Sequence, residues 1–137
     1  MVKKIHAVLE RIQYKEEVEA VLNDYERNGF IDQKEKQVLQ SQIHQLLTKP
    51  ELKEAYEHHT VLNERDFISK TGKIFRPDRL VKTEKGWYLI DYKTGEKSEE
   101  HILQIQEYKQ FLSELKVDVA HAYLVYLSKD TEILEVD

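Results

Sequence analysis

The hydrophobic period of this chain changes at His59, and that change limits its possible folds more than any other feature. Before it, apolar residues return at helical spacing. Ile5, Val8, Leu9 and Ile12 fall on one stripe of a helix. Val18, Val21, Leu22 and Tyr25 repeat the stripe, as a second helix or as a continuation bent near residues 13–15. Asn28-Gly29 ends it, because both residues tolerate the left-handed backbone that closes a helix. Asp32 followed by Glu35 reads as a capping box for a helix carrying Val38, Leu39, Ile43, Leu46 and Leu47. Lys49-Pro50 allows a fresh start, with Leu52, Ala55 and Tyr56 as a short apolar face. The pair His58-His59 reads as a polar helix end, since no third partner makes it a zinc site.

Beyond His59 the runs are short and rich in β-branched and aromatic residues. Segments 61–64, 73–76, 78–82 and 86–91 read as consecutive strands of an antiparallel meander, divided by Gly72 and by the turn at 83–86. Helical spacing returns after Ser98, a cap, with Ile102, Ile105, Tyr108, Leu112 and Leu115 on the apolar side and Glu99-Glu100 favouring the amino end. Segments 120–127 and 131–136 are terminal strands, the first apolar enough to be buried. The expected fold class is therefore α/β, with a helical region over 1–60 and a sheet with its helix over 61–137. A length of 137 residues suits one core, so a single domain is expected.

Composition removes several functions at once. The absence of cysteine excludes disulfide scaffolds, thiolate zinc sites, iron–sulfur clusters and cysteine nucleophiles. A net charge of -5 gives no support to a broadly basic, nucleic-acid-coating surface, although a local basic site remains open. No apolar run approaches the roughly 20 residues that span a bilayer, and no signal-peptide pattern opens the chain. A cytoplasmic module without a membrane partner is the expectation.

The densest polar grouping is Arg76-Pro77-Asp78-Arg79, followed by Asp91-Tyr92-Lys93-Thr94-Gly95. If the two strands form a hairpin, Asp78 and Asp91 lie on neighbouring strands, and paired carboxylates attract a hard cation such as magnesium or manganese. Asp91 and Lys93, two apart on a strand, share a face, which sets a metal ligand beside an ammonium donor. That combination can position water and stabilise the charge developing in phosphodiester hydrolysis. Charged residues alternating on a solvated strand face are the bland alternative. Gln104 and Tyr108 share a helix face and either hold the catalytic hairpin, meet a phosphate, or simply pack and satisfy backbone groups. Arg76 and Arg79 are candidate phosphate contacts, but strand parity turns them to opposite faces, so at most one lines the site. Neither Thr71-Gly72-Lys73 nor Lys93-Thr94-Gly95 has the spacing of a nucleotide-binding loop.

Taken in order, Pro77-Asp78-Arg79, Asp91-Tyr92-Lys93-Thr94-Gly95 and Gln104-Ile105-Gln106-Glu107-Tyr108 resemble the PD-(D/E)XK nuclease superfamily. Within it they look like the RecB-like nuclease domain at the carboxyl end of helicase-nucleases such as AddA. His6-Ala7-Val8-Leu9 is similar to the family's Gly-x-x-x-His-x-x-Leu helix motif, and 124–126 with 135–136 to its closing strands. The family's glycine is replaced by Val2, as expected either of the trimmed start of an excised domain or of a degenerate site. The resemblance covers essentially the whole chain and implies a restriction-endonuclease-like mixed sheet core with an amino-terminal helical region. It implies that His6, Asp78, Asp91 and the backbone carbonyl of Tyr92 bind magnesium, with manganese as a substitute, and that Lys93 orients or activates water. Glu64 resembles a family glutamate that supports the metal through water or through structure. The implied activity is exonuclease-type cleavage of single-stranded DNA in repair and recombination, delivered by helicase domains of the same polypeptide or complex. Its rivals are a free-standing structure-specific endonuclease and an inactive nuclease fold that binds DNA or docks a subunit.

Overall fold

A computed structural model describes residues 2–57, 60–127 and 131–137, so the His58-His59 helix end read from sequence lies outside the described residues. The chain divides into two compact units, Met1–His58 and His59–Asp137.

The first unit is helical. Helix α1 (Val2–Arg11) and helix α2 (Val18–Arg27) are separated by a single 3-10 turn over Lys15–Glu17. The break is held by one carboxylate: Glu17 Oε1 accepts from the backbone N–H groups of Tyr14 and Gln13 at 2.8 and 3.1 Å. Of the two arrangements open from sequence, the second helix is thus the one formed. Helix α3 (Gln33–Leu47) starts in the capping box expected, with Glu35 N donating to Asp32 Oδ1 at 2.8 Å and Asp32 N donating back to Glu35 Oε1 at 3.2 Å. Pro50 opens the short α4 (Pro50–Lys53), which tightens into a 3-10 turn over Glu54–Tyr56. Ile5, Val8, Leu9, Ile12, Leu22, Leu39, Ile43, Leu46 and Leu52 are buried, so the apolar stripes do converge. Arg11–Asp24 and Lys36–Glu26 ion pairs cross between neighbouring helices at 3.0 and 3.1 Å.

The second unit is built on a five-stranded mixed sheet in the order β1 (Thr60–Asn63), β4 (Arg79–Thr83), β5 (Gly86–Lys93), β6 (Val119–Tyr126), β7 (Glu132–Glu135). All neighbours are antiparallel except β5 and β6. Two parallel neighbours need a crossover, and helix α5 (Glu99–Glu114), capped by Ser98 Oγ, supplies it. The turn from β4 to β5 requires glycine at 86: its φ is +117°, and a Cβ there would lie 3.1 Å from that of Ala120. One sheet face carries Leu80, Leu89, Ala122, Leu124 and Tyr126 against Ile105 and Leu112 of α5. The opposite face carries Val81, Tyr88, Ile90, Tyr92, Tyr123 and Val125, also buried. Among the described residues no helix is long and apolar enough to cross a membrane.

The meander expected from sequence is corrected in one place. Segment 73–76 leaves the sheet, and β1 pairs directly with β4 instead. Its residues Ile74–Phe75 form β3, paired with β2 (Phe67–Ile68), a strand the sequence reading missed. Two causes act together. Pro77 offers no backbone N–H to a ladder. Phe75 is drawn to aromatic partners outside the sheet, its ring centroid lying 5.4 Å from Phe67, 5.5 Å from Tyr108 and 5.2 Å from Phe111. Phe75 is 4% exposed, so F75A should lower stability in urea by about 3–5 kcal/mol, the usual loss for emptying a buried phenyl site.

Candidate active site

The site grows from the hairpin of β4 and β5. Asp78 stands one residue before β4, and Asp91 near the end of β5; the register Arg79↔Ile90 makes them neighbours. Each carboxylate is fixed by the other residue's strand. Asp78 N donates to Asp91 Oδ1 at 3.1 Å, and Tyr92 N donates to Asp78 Oδ2 at 2.7 Å. The pair is therefore rigid before any ligand arrives. Lys93, on the same face as Asp91, reaches Asp91 Oδ2 at 3.0 Å and donates to Gln104 Oε1 of α5 at 2.5 Å. Tyr108, one turn further along α5, packs its ring on Phe75 and stands in the field of Asp91, Asp78, Glu107 and Glu64.

Glu64 is tied in through its backbone, its N–H donating to the Asp78 carbonyl at 3.0 Å. It holds φ +49°, a left-handed conformation uncommon for a residue of its kind and one that clusters at functional sites. Arg76 grips the same turn, with Nε donating to the Glu64 carbonyl at 2.7 Å and lying 3.4 Å from Asp66 Oδ1. Asp78, Asp91, Lys93, Gln104, Tyr108, Glu64 and Arg76 thus come together within one unit.

One expected residue stands apart from that group. Arg79 has no exposed surface and donates to Asn63 Oδ1 at 3.2 Å, so the phosphate contact considered for it gives way to a structural one across β4 and β1. The parity argument had left room for only one of the two arginines, and Arg76 is the solvent-facing one. His6 lies on α1 in the first unit, its Nε2 3.4 Å from Glu10 Oε1 at the i, i+4 position. Tyr92 contributes its N–H to the Asp78 clamp.

The structure adds His101, which no sequence spacing had singled out. Its Nδ1 is 3.0 Å from the Tyr126 hydroxyl, Tyr126 is the register partner of Lys93, and His101, Lys93 and Gln104 line one cleft. Only the parallel β5–β6 register places it there, and a lone histidine at a helix start carries no such signal.

Electrostatics distinguishes the site from a decorated strand face. Burial first, and then the adjacent Asp78 charge, push the Asp91 carboxyl up to about 7, against the pull of Lys93. A buried carboxylate raised by a second carboxylate is the setting in which a hard divalent cation is most welcome, and the all-oxygen donors suit magnesium or manganese. Burial and the same carboxylates push the Tyr108 phenol up to about 12, so it remains a hydrogen-bond donor at every working pH.

The raised Asp91 has a measurable consequence in metal-free buffer. Its folded form keeps the proton that the unfolded chain gives up near pH 4, so ionisation costs stability as pH rises from about 4 to about 7, and the whole cost is present above that. D91N removes the charge and keeps the shape. With chelator present it should melt several degrees above the parent at pH 8 and close to it at pH 4.5, read by circular dichroism.

Residues 3–135 match the PD-(D/E)XK nuclease superfamily. No curated protein matches the chain. Among solved structures, the crystal structure of SSO0001 is similar with a TM-score of 0.40 at 18% identity, over 85% of this chain and 60% of that one. The chain thus spans 60% of the length of that protein. The family match runs from α1 to β7 and takes in the Asp78, Asp91 and Lys93 cluster, and the chain accordingly belongs to the PD-(D/E)XK nuclease superfamily, a group implicated in nucleic-acid hydrolysis.

Proposed function

We propose that the chain is a magnesium-dependent deoxyribonuclease domain, a single RecB-like module of the AddA type that degrades single-stranded DNA delivered by a helicase. The observation that carries this reading is the reciprocal clamp of Asp78 and Asp91 with Lys93 beside it, preorganised by backbone donors on two adjacent strands. Asp78 and Asp91 would hold the divalent ion, manganese serving as a substitute, with Glu64 supporting them and the Tyr92 carbonyl as a further ligand. The chemistry such an ion supplies when bound is polarisation of a phosphate oxygen and easier deprotonation of water.

The protein's own groups do the positioning. Lys93, held by Asp91 on one side and Gln104 on the other, orients the attacking water and sets positive charge against the developing phosphorane. With its oxygen engaged by Lys93, Gln104 turns its amide nitrogen to a phosphate oxygen. Tyr108 donates its phenolic proton from the same helix face, and Arg76 meets the phosphate backbone from the Glu64 turn. The acidic balance of the chain favours delivery by a partner over capture by a broad field, since tethering supplies the local concentration that charge does not.

Purified protein incubated with linear and circular single-stranded DNA tests the reading. Linear strands should be degraded with magnesium or manganese and spared with chelator, and circular strands should survive. D91A and K93A should each slow cleavage by about 100-fold or more while remaining folded. Cleavage by D91A within severalfold of the parent would reject the assignment.

His6 enters this reading through its helix motif. If its imidazole is a ligand, H6A should weaken manganese binding more than magnesium binding in calorimetric titration, because nitrogen suits manganese better. Unchanged manganese affinity in a folded H6A protein would return His6 to a packing role.

A further inference from the structure

The β2–β3 hairpin has two unlike faces. Phe67 and Phe75 stack on the face that meets Phe111 and Tyr108 of α5. On the other, the cross-strand partners Ile68 and Ile74 are 63% and 65% exposed, side by side. The turn between the strands is held in one shape: Ser69 N donates to the Lys73 carbonyl at 2.8 Å, Lys73 N to Ser69 Oγ at 3.0 Å, and Gly72 N to the Ser69 carbonyl at 2.9 Å. A rigid ribbon glued along one face and presenting two isoleucines on the other is a poor way to fill a core. It is a good way to offer a preorganised apolar contact.

Charge identifies what would occupy it. Residues 65–76 contain Arg65, Lys70, Lys73 and Arg76 against the single acid Asp66, within a chain of net charge -5. Arg65 and Lys70 are exposed at the two ends of the ribbon. An apolar pair inside a basic collar is complementary to an unpaired nucleic-acid strand, which has apolar base faces on a polyanionic backbone. A protein partner would use the isoleucines and have no need of the collar.

Position gives the third argument. Lys73, Ile74 and Arg76 line one side of a cleft whose other side is Gln104, Glu107 and Tyr108, with Lys73 Nζ 2.9 Å from Glu107 Oε1 across it. Gln104 is bonded to Lys93 and Lys93 to Asp91, so one wall of the cleft is tied to the carboxylate pair.

We propose that the β2–β3 hairpin is a strand-engaging wedge, with Ile68 and Ile74 set against the bases and Arg65, Lys70 and Lys73 against the phosphates of a single strand entering the cleft. The proposal rests on the nuclease reading for the identity of that strand. Aliphatic side chains wedge against base steps without reading hydrogen-bond edges, so the contact is indifferent to sequence.

The test separates the two readings. Binding of a fluorescein-labelled 20-nucleotide single strand is followed by anisotropy in chelator at low salt, so no cleavage or metal is required. The exposed pair is replaced in I68T/I74T, with thermal melting as the folding control, and the collar in R65A/K70A. The wedge should lose roughly tenfold in affinity in the first variant, equally for mixed and homopolymeric sequences, and the second should flatten the salt dependence. With magnesium, I68T/I74T should raise KM for the oligonucleotide while turnover of a p-nitrophenyl phosphodiester stays at the parental rate. Parental affinity and KM in a folded I68T/I74T protein would overturn the wedge and hand the pair to a protein partner, leaving the nuclease reading intact. No measurable binding by the parent would overturn it as well. Conversely, a parent that binds through the hairpin and cleaves nothing would keep the wedge and defeat the nuclease reading.

Discussion

Everything at the site depends on two backbone N–H groups that donate across the β4–β5 hairpin into carboxylates. Asp78 receives Tyr92 N–H and Asp91 receives Asp78 N–H, so the strand pairing and the ligand geometry are one interaction. Neither carboxylate could reorient without losing its backbone donor. The arrangement is expensive, since two negative groups are brought together and one of them is buried. Backbone donors and Lys93 offset part of that cost, and a divalent cation would offset the rest. Stability is thus held back at the residues where an ion would be most useful, a usual bargain at functional sites.

The topology explains why the third group is a lysine with two partners. A parallel β5–β6 pair forces a crossover, the crossover is α5, and α5 comes down over the face that Asp91 and Lys93 share. An ammonium on a flexible stem beside one carboxylate could swing away into solvent. Between Asp91 Oδ2 and Gln104 Oε1 it cannot swing without losing a partner. The helix therefore fixes the ammonium that the hairpin alone would leave mobile, and Tyr108 anchors the helix from the next turn by packing on Phe75.

How much of this could be read from the sequence follows from the range of the interactions involved. The capping box at Asp32, the stop at Gly29 and the hairpin turn before Gly86 are local, and local spacing carries them. The Asp78–Asp91 neighbourhood is one hairpin away and was also legible, because turn position and strand period give the register. The β2–β3 ribbon was not, since two strands of two residues each have no period; what forms them is an aromatic cluster assembled from residues 67, 75, 108 and 111. His101 was hidden for a similar reason, needing the β5–β6 register to reach Tyr126. Arg79 illustrates the reverse limit: its sequence neighbours suggested a surface role, and only burial and Asn63 show a structural one.

The same long-range packing bears on why the ribbon exists at all. Phe75 could have continued into β4 had residue 77 been able to donate, and the sheet would then have had a longer, flatter edge. Pro77 instead ends the ribbon one residue before Asp78. Strand β4 begins at Arg79, and Arg76, in the link between the two, grips the strained Glu64 turn that follows β1. A displacement of the ribbon would pull on Arg76, and through Glu64 N–H on the Asp78 carbonyl. A strand pressing on Ile68 and Ile74 would therefore be felt at the carboxylates through a chain of three hydrogen-bonded residues, which gives the ribbon a physical route to influence the site without touching it.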